Sequence, residues 1–139
     1  QIRQYGSYLY EWNASYEEYA RRVGLSYTSL AVLSTLYDAE NCTQKMLCER
    51  CFLPKQTVNA AITAFYKKGW VRLEELPEDR RNKTIHLTPE GQAAVDAIVR
   101  RVRESERKSM GALSESERQL LLNVTKRYIA GCREAMEEA

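Results

Sequence analysis

Histidine is nearly absent from this chain: His86 is the only one among 139 residues. Glycine and proline are also sparse, at six and three. No glycines gather into a phosphate-cradling loop, and no Ser–His–acid set is in evidence, so an enzyme is not expected. No apolar run is long enough to span a bilayer. No secretory leader pattern is present either, which makes a cytoplasmic location without a membrane partner the expectation. A strong charge of either sign is missing. The formal net charge of +2 is too small to imply nucleic acid by itself, so any basic footprint must be local. Cysteine is limited to Cys42, Cys48, Cys51 and Cys132. A structural zinc site wants four Cys or His ligands at finger-like spacing, and with a single remote histidine the set is short. No metal and no cofactor are therefore expected. Two readings of the thiols stay open: small buried side chains in a reducing cytosol, or a redox pair formed by Cys48 and Cys51, three apart on a helix.

What is present is ordinary in bulk, with 44% hydrophobic and 29% charged residues, and long enough for one domain, or two closely merged ones, with an adequate core. The informative stretch is PKQTVNAAITAFYKKG, from Pro54 to Gly69. Val58, Ala61, Ile62 and Phe65 recur at three- and four-residue spacing, which predicts one helix with an inward stripe. Pro54 suits its start and Gly69 the position past its end. Lys55, Gln56, Thr57, Asn59, Ala60 and Thr63 lie between the apolar positions, and no acidic residue interrupts them. Amides that can pair with adenine, Thr methyls that can touch thymine and Lys for phosphate make up the inventory of a helix that enters a major groove. A plain surface helix would carry the same groups, so the neighbours decide.

Upstream, Ile2, Tyr5, Leu9, Trp12, Tyr16, Tyr19 and Val23 alternate at three and four, a heptad seam that calls for another helix. Its aromatic weight fits an oligomer interface, with a small aromatic pocket beside it. After Gly24, Ser26 or Thr28 caps a helix to Ala39, and Thr43 caps a short one over Gln44 to Cys51. Two short helices joined by a tight turn predict a helix-turn-helix. Downstream, Trp70 to Glu75 alternates as a half-buried strand, Pro77 to Lys83 reads as a charged turn, and Thr84 to Leu87 as a second strand. A charged hairpin directly after a helix-turn-helix is a wing. Arg80, Arg81 and Lys83 at its tip could reach a minor groove, or could be a solvated turn neutralised by Glu78 and Asp79. Two C-terminal helices follow, with Ser114 and Glu117 as a capping box for the last. They lack an obvious partner and are expected to pair with the N-terminal helix and a second copy of the chain.

On LPKQTVNAAITAFYKKGWV (Leu53 to Val71) and DRRNKTIHLTPEG (Asp79 to Gly91), this order of elements resembles the MarR (multiple antibiotic resistance regulator) family of bacterial transcription factors. The resemblance implies a mainly α fold with a small β-hairpin wing. The winged helix-turn-helix lobe would cover about residues 27–91 of a single domain, with dimerisation helices at about 1–23 and 92–139. It implies a homodimer that represses at a palindromic double-stranded DNA operator and is released by a small molecule or by oxidation. Carried over by position, Gln56, Thr57, Asn59 and Thr63 would face bases with Lys55 at the edge. Asp79 and Arg81 would form the wing's acidic and arginine pair, and Arg80, Lys83, Gln44 and Lys45 would meet phosphate. Redox-responsive members carry a cysteine in the N-terminal helix, absent here, and zinc-responsive members need several histidines. A small aromatic or phenolic effector is then the default, with Trp12, Tyr16, Leu33 and Tyr37 as lining residues. Two alternatives remain: a winged-helix protein-interaction module and a thiol-based regulator.

Overall fold

The computed structural model describes all 139 residues, which divide into two compact units, Gln1–Arg100 and Arg101–Ala139. The first holds α1 (Ile2–Arg22), α2 (Tyr27–Asp38), β1 (Cys42–Thr43), α3 (Gln44–Cys51), α4 (Lys55–Lys67), β2 (Val71–Leu76), β3 (Asp79–Leu87) and the first half of α5 (Pro89–Gly111). The second holds the rest of α5 and α6 (Glu115–Glu137).

Local chemistry sets the helix starts. The Ser26 hydroxyl accepts from the Ser29 N–H at 3.1 Å and Thr43 from the Met46 N–H at 3.2 Å, each satisfying a donor that the first helical turn leaves open. Gly24 and Gly69 take the left-handed backbone that ends α1 and α4. The core of the first unit is built from Val32, Leu33 and Leu36 of α2, Leu47 of α3, the α4 stripe Val58, Ala61, Ile62 and Phe65, then Val71, Ile85, Val95 and Val99. The α4 stripe is therefore inward, as its spacing predicts. Tyr19 donates to the Ile98 carbonyl at 2.9 Å, fastening the end of α1 to α5.

The sheet departs from the sequence reading in three ways. It has three strands in the order β1-β3-β2, all antiparallel. The unexpected β1 pairs Cys42 with Ile85 and Thr43 with Thr84. The stretch read as a turn, Pro77 to Lys83, is mostly strand: only Pro77 and Glu78 turn, and β3 begins at Asp79. Pairing of Asp79 with Leu76 and of Lys83 with Glu75 brings the two ends of β3's first half into the ladder, which composition alone does not reveal. Finally, β2 does not alternate cleanly, because Val71 is buried but Leu73 is 42% exposed. A bulge between Glu75 and Leu76 lies next to the turn.

In the second unit, Ser114 and Glu117 form the expected capping box, with the Ser114 N–H donating to the Glu117 carboxylate at 2.7 Å and the Glu117 N–H to the Ser114 hydroxyl at 3.2 Å. The Ser114 backbone N–H first, and its hydroxyl second, hold the Glu117 carboxyl below the ordinary carboxylate range. No residue of α6 is buried, and Leu120, Leu121, Leu122, Val124, Tyr128 and Ile129 are all exposed.

Candidate nucleic-acid interface

The turn before α4 is closed by the Leu53 N–H bonded to the Cys48 carbonyl at 3.2 Å. Pro54 then stands at the N-cap in extended conformation, its carbonyl accepting from Val58 N–H at 3.1 Å. It precedes the first helical residue rather than occupying it. With Val58, Ala61, Ile62 and Phe65 inside, helical geometry turns Lys55, Gln56, Asn59, Ala60 and Thr63 to solvent, and Thr57 is half-buried. These residues share one face, polar apart from the small Ala60. Between Lys55 and Lys68 it has no negative side chain.

Gln44 is employed differently. Its amide donates to the Lys55 carbonyl at 3.2 Å, tying the start of α3 to the start of α4. The side chain read as a phosphate contact therefore serves to position the second helix in this structure. Lys45 stays highly exposed beside Glu49, at 3.9 Å, a pair worth little in water.

On the wing, the Asp79 carboxylate accepts from the Arg81 backbone N–H at 3.0 Å and the Asn82 amide at 2.8 Å. Asp79 thus shapes the tip through the Arg81 backbone and the Asn82 amide, with no hydrogen bond to a neighbouring guanidinium group. Arg80, Arg81 and Lys83 are all exposed. At the wing base, Arg72 donates to the Glu74 carboxylate at 2.8 Å, and this hydrogen bond, with the Arg72 charge, lowers the Glu74 pKa. His86 Nε2 lies 2.8 Å from the Thr84 hydroxyl and 3.5 Å from Glu74.

Two features were not read from the sequence. Ser26, Thr28 and Ser29 border a shallow cleft of about 420 Å³ with Gln56, Thr57 and Ala60. Ser26 and Thr28 stood out in the sequence only as candidate caps. Tyr66 is exposed at the end of α4, one residue before Lys67, whereas Lys68 lies over the Trp70 ring at 4.6 Å.

The proposed effector-lining residues do not converge. Trp12 and Tyr16 meet edge to face at 5.3 Å, and Tyr16 meets Tyr27 at 6.2 Å. Leu33 has 0% exposure and belongs to the core, so it offers no surface to a ligand in this structure. Its place in the α2 stripe was the signal, since stripe residues pack inward. Tyr37 donates to the Asp96 carboxylate, which raises its pKa, and lines a separate cleft with Arg72, His86 and Gln92. Among the thiols, Cys42 is fully buried and burial pushes its pKa up. Cys51 Sγ sits 3.3 Å from the Thr35 hydroxyl and 3.7 Å from the Ala31 carbonyl, joining α3 to α2. All four cysteines are free.

A helix pair with an uncovered, largely polar second helix, followed by a charged hairpin with Arg80, Arg81 and Lys83 near its tip, defines a winged helix-turn-helix protein. Residues 23–82 match the MarR family. The HTH-type transcriptional regulator SarZ of Staphylococcus epidermidis is 36% identical over 76 residues, 55% of this chain and 51% of SarZ. The chain thus spans about half the length of the curated relatives it matches. A MarR family regulator from Neisseria meningitidis has a solved structure that superposes with a TM-score of 0.79 at 26% identity, over 98% of this chain and 95% of that one. Bordetella bronchiseptica BpsR, whose DNA binding is regulated by 6-hydroxynicotinic acid, shares the fold at 21% identity, 92% coverage of each chain and TM-score 0.72. The family match covers less than half of the chain, and the chain is similar to MarR family transcriptional regulators in that stretch and in fold.

Proposed function

We propose that the protein is a DNA-binding transcriptional regulator that works as a homodimer on a palindromic operator, represses there, and is released by a small aromatic effector. The observation that carries the DNA-binding part is the α4 face: Gln56, Asn59 and Thr63 exposed on one side of a helix whose other side is locked into the core. Side-chain amides there can make paired hydrogen bonds to adenine, and exposed Arg80, Arg81 and Lys83 can add contacts to the flanking duplex.

Dimerisation is supported by what the terminal helices leave uncovered. In α1, Ile2, Leu9 and Trp12 are exposed, and α6 exposes its whole apolar row. Monomeric proteins rarely leave such contiguous apolar surface in water. A twofold pair would place two α4 helices roughly 34–36 Å apart for successive major grooves. An effector would act by favouring a dimer with a different spacing, within about 1–3 kcal/mol of coupling. The Trp12–Tyr16–Tyr27 cluster offers ring faces to such a ligand, and a BpsR-like aromatic acid is a reasonable first probe.

Selection from random duplexes tests the reading directly. The expected product is an inverted repeat with half-sites one helical turn apart, and Asn59→Ala should relax the preference at one position by about 1–3 kcal/mol. Failure to enrich any sequence, or enrichment of an isolated half-site, would overturn it.

A further inference from the structure

Phe52 stands at the turn between α3 and α4 with φ 52° and ψ 42°, the left-handed conformation. That geometry ends α3, its N–H returning to the Cys48 carbonyl. Helices commonly stop this way, but with Gly or Asn at this position, because a Cβ is disfavoured there. A bulky aromatic with positive φ is an outlier. The ring gains nothing visible in compensation. It is 83% exposed, and unlike its neighbours Cys51 and Leu53 it does not pack against the core. The turn would be served better by a smaller residue, and the core does not use the ring. The identity of this side chain therefore points outside the chain.

The position says where. Phe52 comes three residues before Lys55 and four before Gln56, at the mouth of the helix proposed to enter the major groove. A duplex read by Gln56 and Asn59 would bring its sugar-phosphate rim up to this turn. We propose that Phe52 is a positioning contact to DNA, its ring lying against the apolar face of a deoxyribose at the groove edge. The inference rests on the DNA-binding reading above. Such a contact fixes the entry of α4 without reading sequence. It neutralises no phosphate, so it leaves the counterion release unchanged.

The experiment uses the full chain and an operator obtained by random-duplex selection. Phe52→Gly and Phe52→Asn keep the left-handed turn and remove the ring, while Phe52→Leu keeps apolar bulk. The Gly and Asn variants should melt at or above the wild-type temperature, yet bind operator roughly 5–20-fold more weakly, the loss expected from exposing part of an aromatic surface. Their dependence on salt concentration should match that of wild type, and Phe52→Leu should recover most of the affinity. Wild-type affinity in folded Phe52→Gly would overturn the proposal, as would a loss accompanied by a flatter salt dependence. Should the wild-type chain itself enrich no duplex, the DNA-binding reading fails and this contact falls with it, an outcome visible before any variant is made.

Discussion

Gly91, in the first turn of α5, lies against the backbone of Trp70, between α4 and the wing. A Cβ built there would lie 1.9 Å from the Trp70 carbonyl oxygen and 2.6 Å from its carbon. Both are backbone atoms, so no rotamer change can relieve the clash. The helix start would have to retreat by about 1 Å merely to reach 3.0 Å, below which real Cβ contacts essentially do not occur. That retreat pulls on two hydrogen bonds at the same joint: the Thr88 hydroxyl to the Gly69 carbonyl at 2.6 Å, and the Thr88 N–H to the Trp70 carbonyl at 2.9 Å. Overpacking costs about 1–3 kcal/mol and each weakened bond about 1 kcal/mol. Alanine's better helix propensity offsets up to about 1 kcal/mol. Gly91→Ala should therefore destabilise the fold by about 2–4 kcal/mol, lowering the urea midpoint by roughly 1–2 M. Equilibrium urea unfolding followed by Trp fluorescence measures it, with Trp70 as a reporter beside the joint. A midpoint equal to that of wild type would mean that α5 is free to slide on the Trp70 backbone, and the account of this joint would be wrong.

Other expectations concern the wing, the thiols and α6. Arg81→Ala should weaken operator binding evenly across sequences and reduce the slope of log affinity against log salt by about one, as titrations at several salt concentrations would reveal. Cys42, buried and with its pKa raised, should resist iodoacetamide in the folded protein while the partly exposed Cys48 and Cys132 are modified; rapid labelling of Cys42 in peptide mass spectra would contradict its placement. The Glu117 carboxyl, held below its ordinary value of 4.5 by Ser114, should titrate low by NMR and move back upward in Ser114→Ala. Because its folded pKa is depressed, it supports the fold above the unfolded value, and that support is lost as pH falls through the folded value. Acid melts of Glu117→Gln should accordingly show a shallower decline than wild type below pH 4.5.

Local interactions made much of this protein legible in its sequence. Ser26, Thr43 and Ser114 each bond the N–H three residues on, so the spacing that announces a cap also makes it. The α4 stripe follows from a period that any helix must have, and once it is turned inward the outward set of Lys55, Gln56, Asn59 and Thr63 is settled too. The remainder depended on partners far along the chain. β1 is two residues long and exists only because β3, some forty positions later, supplies its hydrogen bonds. Asp79 and Lys83 read as turn by composition but join the strand ladder through Leu76 and Glu75 of β2. Leu33 and Tyr37 sit on one helix, yet packing sends the first into the core and the second to Asp96. Gly91 gives no local sign of the carbonyl it must accommodate, nor Phe52 of the left-handed backbone it adopts. Periodicity and capping act over a few residues and are written in order, whereas strand pairing, close approach and burial are decided between segments that meet only when the chain has folded.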